Sequence, residues 1–91
     1  MKTYGNVWDA IEDSAEAAVS MEARATIVMA VQKVVRGRKL SQQAATAKLG
    51  ISQRRLNDLL RGRIDKFSLD ALFDLAAHAG LKVSVTLKKV A

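Results

Sequence analysis

The sequence has no cysteine, no proline, one histidine and four aromatic residues. Without cysteine there are no disulfides and no thiolate metal sites, a composition compatible with a reducing compartment. His78 stands alone, so no imidazole cluster is available to a metal. The few aromatics leave no set of stacking platforms for single-stranded RNA. No apolar run approaches the roughly 20 residues that span a bilayer. Met1–Asp13 carries one lysine and no continuous apolar stretch, which does not read as a signal peptide. Glycine-rich phosphate loops, low-complexity linkers and internal repeats are missing too. Catalysis lacks its parts: Glu12, Asp13, Glu16 and Glu22 are scattered over a solvated face, with no nucleophile, base and orienting group. His78 falls near a predicted helix end, where it suits the helix dipole. An enzyme is therefore not expected, and neither is a cofactor.

What is present is apolar and basic. Hydrophobic residues make up 49% of the 91, enough for one small globular domain. The net charge of +6 favours an anionic partner. A membrane surface fits poorly, because the first long helix is too acidic at its start; the expected place is the cytoplasm. Gly37, Gly50, Gly62 and Gly80 fall at helix-length intervals and predict helix ends.

Between these marks the periodicity predicts five helices. Thr3–Ser14 is a short acidic opening in which Val7, Trp8 and Ile11 share one side, with Trp8 anchoring it to the domain or docking on a partner. Ala15–Arg36 is a long helix with an apolar stripe of Ile27, Val28, Val31, Val34 and Val35. Lys33, Arg36, Arg38 and Lys39 cluster at its basic end, suited to the helix dipole or to phosphate. Ser41, Ser52 and Ser68 are the predicted N-caps of three further helices, the last running to about His78. The tail changes period: Leu81, Val83, Val85 and Leu87 alternate with polar residues, as in a half-buried strand. No second strand pattern exists to pair with it. An unpaired strand leaves both edges open, so pairing with the same strand of a second copy, in a homodimer, is expected. The chain then divides into an arm or short helix (1–14), a helix-turn-helix domain (15–80) and a dimerisation strand and tail (81–91).

The segment Leu40–Gly62 carries the chemistry. Two helices of about two turns flank Leu49-Gly50-Ile51, and Gly50 permits a tight turn between steeply packed helices. Ala45, Leu49, Ile51, Leu56 and Leu59 supply the small core between them. At about 100° per residue, Arg54, Asp58 and Arg61 point away from Leu56, Leu59 and Leu60, with Asn57 alongside and Gln53 in the first turn. Arginine pairs bidentately with guanine, glutamine or asparagine with adenine, and aspartate accepts from cytosine. Ser52, Gln53, Arg54, Asn57, Asp58 and Arg61 are therefore the expected base-reading set. Gln42, Lys39, Arg55, Arg63 and Lys66 are the expected phosphate contacts.

The pattern Leu-Ser-Gln-Gln…Leu-Gly-Ile-Ser-Gln…Leu…Leu…Arg-Gly resembles the XRE, or lambda-repressor/Cro-like, helix-turn-helix family. Asn6-Val7-Trp8, Ala23-Arg24, Phe67-Ser-Leu-Asp-Ala-Leu72 and Ala79-Gly-Leu81 extend the likeness to its HigA-type antitoxin branch, from about Asn6 to Leu87. The resemblance implies an all-α, lambda-repressor-like domain of five helices with a C-terminal β-strand that pairs across a dimer. It also implies a sequence-specific repressor of its own operon that reads a double-stranded operator. It often implies a second partner, a RelE/HigB-type ribonuclease toxin, which the acidic stretch Asp9–Glu16 or the tail strand would meet. By the same likeness, base readers fall on Ser52, Gln53, Arg54, Asn57 and Asp58, and the phosphate-contacting glutamine on Gln42. Two residues depart from the pattern. Thr46 replaces an alanine, and its hydroxyl is expected to bond a carbonyl one turn back. Leu60 replaces a polar residue, and is expected to be buried against the Ser68 helix or the dimer mate.

Overall fold

The computed structural model describes the backbone of residues 7–89 and the side chains of residues 18–89. Within that range it contains four α-helices: α1 (Val7–Gly37), α2 (Gln42–Leu49), α3 (Gln53–Leu60) and α4 (Leu69–His78). A single 3₁₀ turn, Ile64–Lys66, links α3 to α4. α1 packs against α4, α3 and the 3₁₀ turn, while α2 packs on α3 and α4.

The stripe read from α1 is the one that turns inward. Val28, Val31 and Val35 are buried, with Ile27 and Val34 packed at the edge. They meet Ala45, Leu49, Leu56 and Leu59 from the two short helices, and Phe67, Leu72, Leu75, Ala76 and Ala79 from the α4 region. Ile51 and Leu60 pack against this core only in part. Leu56, Leu59 and Leu72 are fully enclosed, so truncating any of them to alanine costs about 2–5 kcal/mol.

The helix starts follow the serine reading. The hydroxyls of Ser41, Ser52 and Ser68 accept from the backbone N–H of Ala44, Arg55 and Ala71, at 3.1, 3.2 and 3.1 Å. The helix ends share a device. After each helix, one left-handed residue lets the following N–H reach back five residues. These bonds are Leu40 to Val35 (3.1 Å), Ile51 to Thr46 (3.2 Å), Arg63 to Asp58 (3.0 Å) and Leu81 to Ala76 (2.8 Å). Three of the left-handed residues are the expected glycines 50, 62 and 80, whereas after α1 it is Lys39, at φ 51°. Gly37 lies inside the helix, two residues before the turn.

The fold departs from expectation in two places. The opening segment and the long helix form one helix of 31 residues, so the described residues hold four helices rather than five. No glycine or proline falls between Val7 and Arg36, and the alanine-rich sequence gives no reason to stop. The expected anchoring by Val7, Trp8 and Ile11 falls on side chains outside those described. Residues 81–89 follow α4 without regular structure, not as a strand. Alternation sets which side chains share a face, but a strand exists only with a ladder partner, and the described residues supply none. No described helix is long and apolar enough to cross a membrane.

Candidate nucleic-acid interface

α3 is an eight-residue helix with one buried and one exposed side. Leu56 and Leu59 fill the core, while Gln53, Arg54 and Asn57 project outward and are exposed. Gln53 Nε2 lies 3.5 Å from Asn57 Oδ1, so the two amides stand in line one turn apart. Arg61 is exposed just past the last turn, on the same side. Ser52 is exposed at the N-cap, its oxygen engaged with the Arg55 N–H. Asp58 is the covered member of the set: its side chain is 18% exposed, and its Oδ1 lies 3.9 Å from Arg63 Nη1.

The expected phosphate contacts separate into two groups. Gln42 opens α2 and is exposed, as are Lys39 in its left-handed turn and Lys66 on the 3₁₀ turn. Arg63 is about half exposed and faces Asp58. Arg55 differs, because its guanidinium is already engaged within the domain. It lies 4.3 Å over the Phe67 ring, and its Nη1 donates to the Lys66 carbonyl at 2.9 Å. That is a clamp between α3 and the 3₁₀ turn, combining a cation–π contact with a hydrogen bond.

α1 holds the other end of α3. Gln32 Nε2 donates to the Leu59 carbonyl at 2.8 Å, and Arg36 Nη2 to the Leu60 carbonyl at 3.1 Å. These carbonyls lie in the last turn of α3, where helical partners run out and a positive group is favoured. Sequence reasoning missed Gln32 altogether. It placed Arg36 at the end of its own helix, whereas Arg36 serves the end of another. The available signal was a glutamine and an arginine four apart on α1, flanking its apolar stripe. Nothing local says which carbonyls they meet. Thr46 behaves as expected, its hydroxyl donating to the Gln43 carbonyl at 2.9 Å.

The outcome is a short, capped helix pinned at both ends, with a row of amide and guanidinium groups facing outward and lysines and arginines around it. Residues 10–88 match the family model described as a helix-turn-helix domain. The chain belongs to the helix-turn-helix domain family. The match takes in all four helices of the fold but for the first turn of α1. Among curated proteins none matches significantly in sequence. Among solved structures, the helix-turn-helix chain is similar to a protein assigned to the XRE family of transcriptional regulators. That similarity has a TM-score of 0.74 at 27% identity, over 81% of this chain and 83% of the other.

Proposed function

We propose that the protein is a sequence-specific DNA-binding transcriptional regulator, a repressor, that inserts α3 into the major groove. The observation that carries this reading is the outward row of Gln53, Arg54, Asn57 and Arg61 on a helix held at both ends. Side chains that read base edges need a backbone that does not move, and the Gln32, Arg36 and Arg55 bonds provide it. Asp58 joins the reading set from its flank, and Ser52 from the N-cap. Gln42, Lys39, Arg63 and Lys66 lie on the phosphates and set the register. The likeness to an XRE-family regulator supports the same function.

The working unit is a homodimer joined through Leu81, Val83, Val85 and Leu87, because the alternating tail has no partner strand within the described chain. Two α3 helices at a set separation would read a palindromic site. The resemblance to HigA-type antitoxins supports an autorepressor of a toxin–antitoxin operon, with a ribonuclease toxin as a second protein partner. The cytoplasm is its place of action.

Selection of bound sites from random duplex DNA tests the main reading. A two-fold symmetric consensus is expected. Recovery of no preferred sequence would sink it. Co-expression with the product of an adjacent gene tests the antitoxin role. A stable complex supports it, and operator binding with no captured partner counts against it.

A further inference from the structure

We infer that Gln32 and Arg36 of α1 are positioning residues for one end of the recognition helix. They set where Asn57 and Arg61 stand, while Gln53 and Arg54 answer to a different restraint. The inference rests on the DNA-reading role of α3, and divides that role between two separately held ends.

α3 has only eight residues, roughly 12 Å of helix. A helix that short completes few internal bonds, and the carbonyls of its last turn have no helical partner. What its ends meet therefore decides where they lie. At the N-terminal end the Ser52 oxygen accepts from the Arg55 N–H, and the Arg55 guanidinium lies over Phe67 and bonds the Lys66 carbonyl. Gln53 and Arg54 stand between that cap and that clamp.

The C-terminal end is held from α1. Gln32 Nε2 reaches the Leu59 carbonyl at 2.8 Å and Arg36 Nη2 the Leu60 carbonyl at 3.1 Å. The Leu60 carbonyl receives no backbone N–H among the described residues, so Arg36 is its partner. Leu59 and Leu60 lie between Asn57 and Arg61 in the chain. The two bonds thus act on the stretch of backbone that carries those two side chains. Gln32 is a firm post for this. It is half-buried, and Val28, Val31 and Val35, one turn before it, beside it and one turn after it, are all in the core. A side chain rooted there moves with the core and not with the duplex. A base contact tolerates only about 0.5 Å of misplacement. Loss of the α1 bonds therefore blunts the positions read by Asn57 and Arg61, and spares those read by Gln53 and Arg54.

Site selection from random duplex DNA with the full chain tests the inference. Asn57→Ala and Arg54→Ala first mark which positions of the selected site depend on each end of α3. Gln32→Met keeps length and charge but removes the donor. It should reduce discrimination at the Asn57-marked positions by about fivefold or more, the low end of one base contact. The Arg54-marked positions and the salt dependence should stay as in the wild type. Gln32→Lys returns an N–H donor and should restore discrimination. Arg36→Met, at an exposed position where folding is not at stake, should blunt the same positions. Amide hydrogen exchange of the free protein reads the restraint without DNA. The Arg61 and Gly62 N–H groups bond the Asn57 and Leu59 carbonyls, and the Leu56 N–H bonds the Ser52 carbonyl. In Gln32→Met the first two should exchange about fivefold or more faster relative to the third than in the wild type. Wild-type discrimination at the Asn57-marked positions in both Gln32→Met and Arg36→Met overturns the inference. Equal blunting across the whole site does so too. A wild type that selects no sequence defeats the regulator reading instead, and the exchange comparison then decides alone whether α1 holds this end of α3.

Discussion

Arg54 and Arg55 are neighbours on α3, yet the fold gives them different work. Arg54 is exposed on the outward side, whereas Arg55 stacks on Phe67 and bonds the Lys66 carbonyl. Arg54→Ala should cost about 1–3 kcal/mol of affinity at a selected site while leaving unfolding by urea unchanged. Arg55→Ala should lower stability by about 1–2 kcal/mol, from the lost cation–π contact and hydrogen bond. Arg55→Lys separates a clamp from a phosphate contact. Lysine keeps the charge but loses the planar stack, so this variant should lose base selectivity while the salt dependence of binding stays as in the wild type. Wild-type selectivity in Arg55→Lys would return Arg55 to the phosphate contacts. Nothing in the sequence separates the two arginines except their position relative to Leu56, and it takes Lys66 and Phe67, eleven and twelve positions after Arg55, to decide the matter.

At the scale of elements, caps explain most of what was legible. Three serines start three helices, and three glycines end three, as the sequence pattern says. The exception is informative. Lys39 takes the left-handed conformation after α1, where an L-residue with a side chain costs roughly 1–2 kcal/mol. Lys39→Gly should therefore stabilise the fold by up to about 1 kcal/mol in urea unfolding, part of the gain being offset by the freer unfolded chain. The same variant should bind DNA less tightly, because a cation near the interface is gone. Higher stability with weaker binding would show that a lysine is kept there for contact rather than for folding. At the other end of the same motif, Ser52→Ala should cost about 1 kcal/mol of stability by removing the bond to the Arg55 N–H. The joining of the first two expected helices into α1 was also open to inspection, since no breaker separates Ser14 from Ala15.

For the whole molecule, charge is sorted along the chain. Asp9–Glu22 is acidic throughout, and the segment from Arg24 to Lys66 carries eleven basic residues against Asp58 and Asp65. Affinity for the selected duplex should therefore fall steeply with salt, on a straight line in log–log form. Lys66→Gln should make that line shallower by about 0.9 if the lysine neutralises one phosphate. An unchanged slope would remove Lys66 from the contact surface. The tail belongs to this scale as well. Its alternation predicts a strand, whereas residues 81–89 have no regular structure and no ladder partner among the described residues.

The sequence by itself determined the helix-turn-helix of Leu40–Gly62: its capping serines, its glycine turn, its leucine side and its polar side. Each depends on contacts within a few residues, which periodicity and residue type specify directly. It also determined that Val28, Val31 and Val35 face inward, because a helix has one stripe to bury. Only the tertiary structure decided what holds α3 still. Gln32, Arg36 and Arg55 reach partners 27, 24 and 11 residues away in the chain. Such bonds depend on how helices cross, and crossing is set by the packing of the whole core.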